Sequence, residues 1–412
     1  MQPFLSQTRF FLTPAFDEGR ARLYCLLLGL WPWFDLAVLI VMGWGEIDIA
    51  KQPPFGRDFI SFYAASTLVL ADHAADVYVV AAHKAAEHRI FSEGDYSAFF
   101  YPPLFLLICA PLAKLPFFVA LAAWLGTSMT ACIAVLRKLA PPSLGWLPLL
   151  AFPGVYMNIV HGQNAFLTTA LFGAALLVLD RRPALAGLLF GALAFKPHFG
   201  LLIPIFLLAS GRWQAFAASA CTVLLLCLVS LVAFGAETWR GFLEITSFSR
   251  EVLEQNRVGY EKMQSVFAMV RLLGGSVAAA YGAQALVAAA VIITLVRASR
   301  LKHPAQAVGA LLVTGTLLAT PFLLRYDLML LAIPLVWLAR EGVSGGLCKG
   351  EICIGIAVFA LPLVPIEIAE TSHMLIAPLV IGALFIVLAR LCFSRWEKLS
   401  AEPADEGLHS LS

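Results

Sequence analysis

The chain has 412 residues, of which 60% are apolar and 13% charged. A soluble domain carries about 25% charged residues, so this composition excludes a water-soluble globular protein, whose surface it could not cover. The net charge of +2 is too small for a nucleic-acid-binding surface.

A membrane span needs about 20 apolar residues, and Lys and Arg in short loops mark the cytoplasmic side. Residues 1–22 carry Arg9, Arg20 and Arg22 and read as a cytoplasmic N-terminal tail. The apolar run 23–44 is longer than a signal-peptide core and no cleavage site follows it, so it reads as a retained first span. Residues 46–101 carry more acids than bases and read as a first periplasmic segment. Basic clusters then recur at Arg137-Lys138, Arg181-Arg182, Arg212, Arg297/Arg300/Lys302, Arg340/Lys349 and Arg390/Arg395/Lys398. Between them spans are expected near 117–137, 144–160, 164–180, 184–196, 199–210, 214–234, 277–297, 304–319, 327–340, 352–368 and 374–391. With the first span this makes about twelve crossings, both termini inside. The run 104–115 is short and ends at Lys114 and Pro116; it either dips into the membrane or adds one crossing. A second periplasmic segment is expected over 235–275. The transmembrane domain as a whole is expected over 23–396, followed by a disordered cytoplasmic tail over 397–412. The eight cysteines sit mostly in apolar runs, where they act as small hydrophobes. Cys348 and Cys353 lie together but have no histidine partner for a metal site.

Charged side chains at membrane depth cost about 2.5–3.5 kcal/mol, so they tend to face functional cavities. The runs 184–196 and 199–210 are split by Phe195-Lys196-Pro197-His198. Proline ends a helix, which predicts a broken hairpin with Lys196 and His198 facing a cavity. The blander readings are a lysine reaching for headgroups and a satisfied core histidine. Asp58 stands just beyond the first span among Phe59, Phe62 and Tyr63, either as a proton acceptor or as a helix cap. Tyr101-Pro102-Pro103 predicts an extended approach to the membrane. His161-Gly162-Gln163-Asn164, Lys262-Met263-Gln264-Ser265 and Arg325-Tyr326-Asp327 fall on the same face as Asp58 and Lys196. Each alone reads equally as a solvated loop. No Gly-rich phosphate loop, HExxH pair or nucleophile elbow is present. Neither periplasmic segment holds a D-x-D, and a lone aspartate is a poor divalent-cation site, so no metal is expected.

Several of these motifs, in this order, resemble glycosyltransferase family 87. They are Arg57-Asp58-Phe59, Phe62-Tyr63-Ala64-Ala65, Asp76-Val77-Tyr78, Tyr101-Pro102-Pro103-Leu104, Ala110-Pro111-Leu112 and Gly162-Gln163-Asn164. The likeness continues through Ala186-Gly187-Leu188-Leu189-Phe190-Gly191, Lys196-Pro197, Lys262-Met263-Gln264-Ser265-Val266-Phe267, Thr320-Pro321 and Tyr326-Asp327-Leu328, covering roughly 55–335. The resemblance implies an all-α polytopic membrane protein of the GT-C fold. It would have about 12–13 transmembrane helices and short helices in its two extracytoplasmic segments. It implies an inverting hexosyltransferase of the inner membrane. This would move a sugar, commonly mannose, from a polyprenyl-phosphate donor to a lipid- or glycan-linked acceptor at the periplasmic face. The donor is a co-substrate and no cofactor is expected. The family's catalytic aspartate falls on Asp58 and its broken-helix lysine on Lys196. The donor phosphate would meet Lys196, His198 and Arg325. Tyr63, Tyr101, His161, Gln163, Asn164, Lys262, Gln264, Tyr326 and Asp327 would orient the substrates. One departure is Arg325-Tyr326-Asp327, where some members carry a histidine. Two other functions fit parts of the pattern. A lipid-linked-sugar transporter or flippase would use broken helices but predicts inverted-repeat symmetry. A glycan polymerase or ligase predicts a large late periplasmic loop.

Overall fold

The computed structural model describes residues 18–45, 55–94, 96–301, 305–344 and 346–401. Most of the expected N-terminal tail, residues 46–54 of the first segment and the end of the C-terminal tail lie outside the described residues. The fold is all-α. Among the described residues the one β-type pairing is an isolated antiparallel bridge between Met263 and Leu324.

The longer helices, in chain order, are α1 (Glu18–Gly45), α2 (Phe59–Leu70), α3 (Val80–Ile90), α4 (Phe117–Leu139), α5 (Pro153–His161), α6 (Ala165–Val178) and α7 (Pro183–Ala192). They continue as α8 (Leu202–Ala209), α9 (Trp213–Glu254), α10 (Val277–Ser299), α11 (Ala305–Ala319), α12 (Ala332–Val343), α13 (Lys349–Ala360) and α14 (Ala377–Ala401). Among the described residues four helices are long and apolar enough to cross a membrane unaided: α4, α9, α10 and the Ala377–Ser394 part of α14. A fifth arises if Lys349–Leu363 and Ile366–Ser372, bent by 95°, form one broken span. The first expected span is one helix, α1, whose apolar stretch is Leu23–Leu39; helix occurs at each of the other expected spans, but in shorter pieces. Pro153 opens a new helix where a continuous one was expected, because proline supplies no N–H to a preceding turn; Pro183 and Pro197 open helices at boundaries the sequence reading expected. Residues 103–114 form three short helical pieces. At about 1.5 Å per residue they fall well short of the ~30 Å hydrocarbon core. The protein is thus a multi-pass membrane protein built partly from interrupted helices.

Two glycine features shape the scaffold. On α7, Gly187 and Gly191 sit one turn apart against α9. A Cβ at Gly187 would stand 2.3 Å from the Ala215 carbonyl, and one at Gly191 would stand 2.7 Å from the Ser219 carbonyl. Small residues at this spacing let helix backbones touch, and this seam holds the broken hairpin against α9. On α9 itself, Gly235 leaves helical geometry at φ 81°, ψ 167°. The part before it presents Leu224, Leu225, Leu228 and Val232 outward, as a lipid face does. The part after it carries helix on to Glu254, so the first half of the segment expected over 235–275 is a helical arm. At the C-terminus α14 runs on to Ala401, so residues 397–401 of the expected tail are helical.

Beneath the segment 55–101 lies an aromatic core. Phe62 meets Phe99, Tyr101, Phe105 and Trp124 edge-on, and Phe105 stacks on Phe195 at 5.1 Å. Edge-to-face pairing of this kind adds to simple burial. It ties α2, the 99–105 stretch and the turn before Lys196 into one body.

Candidate active site

The site forms where the start of α2 docks on the end of α5. Gly162 ends α5 in the left-handed region, at φ 67°, where its N–H reaches the Asn158 and Ile159 carbonyls; the last two carbonyls of the helix, Val160 and His161, remain open. The segment before α2 fills them. Gly56 N–H donates to the Val160 carbonyl at 2.7 Å, and Asp58 N–H donates to the His161 carbonyl at 2.9 Å. A Cβ at Gly162 would stand 2.8 Å from Phe59 Cβ and 2.9 Å from Gly56 Cα, so only glycine permits both the turn and the approach. The Trp124 indole N–H donates to the Gly162 carbonyl at 3.1 Å from below. Asn158 also supports the turn. In the amide orientation that satisfies both its atoms, Nδ2 donates to the Gln163 carbonyl at 2.7 Å and Oδ1 accepts from Phe166 N–H at 3.2 Å.

This docking brings Asp58 against the His161–Asn164 turn. Asp58 does not cap α2 with its side chain. Its Oδ2 accepts from Gln163 Nε2 at 3.0 Å and lies 3.4 Å from His161 Nδ1. Both the Asp58 and His161 side chains remain partly open, at 27% and 34% exposure. Gln163 Oε1 in turn accepts from the Tyr101 hydroxyl at 3.2 Å. Burial raises the Tyr101 phenol well above its ordinary range, and the Asp327 and Asp58 carboxylates push the same way. It is therefore a neutral O–H donor. Asn164 is fully buried beside Tyr101, and its amide atoms have no partner of good hydrogen-bond geometry among the described residues.

Lys196 lies at the break before Pro197, as the sequence implied, and its ammonium is buried. It donates to Asp327 Oδ1 at 2.6 Å, and the two side chains are 3% and 4% exposed. Asp327 Oδ2 accepts from Leu324 N–H at 3.3 Å. The ammonium also faces the Phe199 ring at 5.2 Å and the Tyr326 ring at 5.3 Å, within cation–π range. The Tyr326 ring lies 5.8 Å from the His161 ring. A continuous series of contacts thus runs from Lys196 through Tyr326 and His161 to Asp58.

The other candidate residues fall outside this series. His198 packs edge-on against Phe199, close enough to Lys196 to feel its charge. Arg325 turns away and donates to the carbonyls of Pro362 and Val364 at 2.9 and 2.8 Å. Tyr63 gives its hydroxyl to the Leu115 carbonyl at 2.8 Å and braces α2. Lys262 is exposed. Gln264 N–H donates to the Leu323 carbonyl at 2.8 Å, so its strand-like stretch supports the approach to Tyr326. No contact ties the side chain of Lys262 or Gln264 to Asp58 or Lys196 among the described residues.

The sequence model of glycosyltransferase family 87 matches residues 99–321, just over half of the chain. The chain belongs to glycosyltransferase family 87. No curated protein and no solved structure matches it. The matched stretch of this glycosyltransferase contains Tyr101, the His161–Asn164 turn and Lys196, while Asp58 and Asp327 flank it and close the same site.

One polar pair of the glycosyltransferase was missed in reading its sequence. Asp35, in the first apolar run, accepts a hydrogen bond from the Tyr156 hydroxyl on α5. Its signal was present: a carboxylate at membrane depth needs a partner.

Proposed function

We propose that the protein is an inverting glycosyltransferase of the inner membrane. It would move a hexose, mannose in the first instance, from a polyprenyl-phosphate carrier to a lipid- or glycan-linked acceptor at the outer face. The reaction is a single in-line displacement. The acceptor hydroxyl oxygen forms a bond to the anomeric carbon while the bond from that carbon to the phosphate oxygen breaks. Asp58 takes the hydroxyl proton, and polyprenyl phosphate departs as a stabilised anion that needs no general acid. A positioned base contributes about 10²–10⁴-fold. The leaving phosphate needs positive charge held in a low-dielectric site. Lys196 supplies it, oriented by Asp327, with His198 beside it. The orphaned amide of Asn164 suits a sugar hydroxyl, since a buried amide without partners is costly. Arg325 belongs to the wall rather than to the phosphate contacts. No cofactor beyond the lipid-linked donor is called for.

The observation that carries this reading is that an accessible carboxylate and a buried cation share one contact series, Asp58–His161–Tyr326–Lys196, at 3.4, 5.8 and 5.3 Å. The test is to incubate protein in proteoliposomes with a radiolabelled polyprenyl-phosphate-mannose and envelope lipids. Label should pass to a new lipid or glycan product. Asp58→Asn should lose transfer by at least about 100-fold while still binding donor. Wild-type transfer by Asp58→Asn would remove the proposed base. Movement of donor across the bilayer with no new product would replace the enzyme by a transporter.

A further inference from the structure

Asp58 has two oxygens, and the structure treats them differently. Oδ2 accepts from Gln163 and lies against His161 Nδ1. Oδ1 has no hydrogen-bond partner among the described residues and lies on a side chain that is 27% exposed. An amide has one donor end and one acceptor end. With Asp58 ionised, Gln163 must turn its NH₂ toward the carboxylate, which leaves Oε1 facing the Tyr101 hydroxyl. Tyr101 holds that oxygen at 3.2 Å, and the Asn164 backbone N–H approaches it at 3.4 Å. Tyr101 is itself fixed by ring contacts with Phe62, Phe99 and Phe105 at 5.5, 5.4 and 4.7 Å.

We infer that Tyr101 and Gln163 are positioning residues rather than substrate contacts: Tyr101 sets the Gln163 amide, and Gln163 pins Asp58 Oδ2 so that Oδ1 alone is presented to the acceptor hydroxyl. This rests on the reading of Asp58 as base. The relay fixes which lone pair meets the proton. A carboxylate free to rotate would be aligned only part of the time, and such misalignment lowers turnover without weakening binding. The 99–105 stretch thereby becomes part of the catalytic apparatus through a chain of two hydrogen bonds rather than through contact with sugar.

The experiment is a double-mutant cycle with the radiolabelled donor. Tyr101→Phe keeps the ring packing and removes one hydrogen bond. It should lower kcat about three- to tenfold, the range of a single neutral hydrogen bond, with KM for donor and acceptor unchanged. Gln163→Leu should lower kcat further. Adding Tyr101→Phe to it should change nothing more, because the relay is already cut. Should Gln163→Leu fold poorly, Gln163→Asn, too short to span both partners, takes its place. Effects that multiply in the double variant would overturn the relay. A raised KM at unchanged kcat would do the same, since it would make these residues substrate contacts. Asp58→Asn in the same assay separates the failures. If it transfers normally, the base assignment has failed. If it is inactive while Tyr101→Phe turns over at the wild-type rate, the relay alone has failed.

Discussion

The Lys196–Asp327 pair allows stability and function to be pulled apart. At 2.6 Å separation and an effective dielectric constant of about 20, the two charges attract by about 6 kcal/mol. Removing both from water offsets much of that gain, so the net contribution of the pair is small. Losing one partner is different, because a charge is stranded among side chains only 3–4% exposed. Lys196→Met or Asp327→Leu should each destabilise by about 3–5 kcal/mol, visible as a marked fall in the thermal midpoint in detergent micelles. The double variant should recover most of that loss, because it replaces two buried charges with apolar groups. Transfer should not recover with it, because no ammonium remains to meet the phosphate. A double variant as unstable as the singles would refute the electrostatic reasoning. One that is stable and fully active would refute the role given to Lys196.

Two further perturbations test the scaffold. Gly162→Ala places a Cβ 2.8 Å from Phe59 Cβ at a residue held at φ 67°. The left-handed conformation alone costs about 1–2 kcal/mol, so both the thermal midpoint and kcat should fall, as differential scanning and the transfer assay would register. Arg325→Met removes the clamp on the Pro362 and Val364 carbonyls. Hydrogen exchange should quicken around 361–364 while donor affinity stays within about threefold, a change smaller than the loss of one charged hydrogen bond would produce. A large loss of donor affinity instead would return Arg325 to the phosphate.

Local chemistry was the legible part of this sequence. Pro197 announced the break at Lys196, and Gly162 makes the turn that presents Gln163 and Asn164; each acts on its own backbone. Helix was expected at every span. The interruptions were less evident, since proline at a first helical turn looks in sequence like proline within a helix. Partner choice was not legible. Lys196 and Asp327 lie 131 residues apart, and Gln163 and Asp58 lie 105 apart. Nothing in either stretch specifies the other without the packing between them. Arg325 and Tyr63 show the same limit from the opposite direction. Each looked like a substrate contact by residue type, and each donates instead to a backbone carbonyl left open by a nearby turn.

The Asp35–Tyr156 bond spans 121 residues, and this separation has a consequence for biogenesis. The first apolar segment leaves the ribosome with a carboxylate whose burial in hydrocarbon costs about 2.5–3.5 kcal/mol, long before the phenol that receives it has been made. Until Tyr156 arrives, that segment is best lodged where water or the insertion machinery can solvate Asp35. The hydrogen bond that pairs Asp35 can therefore form only after Tyr156 has been made.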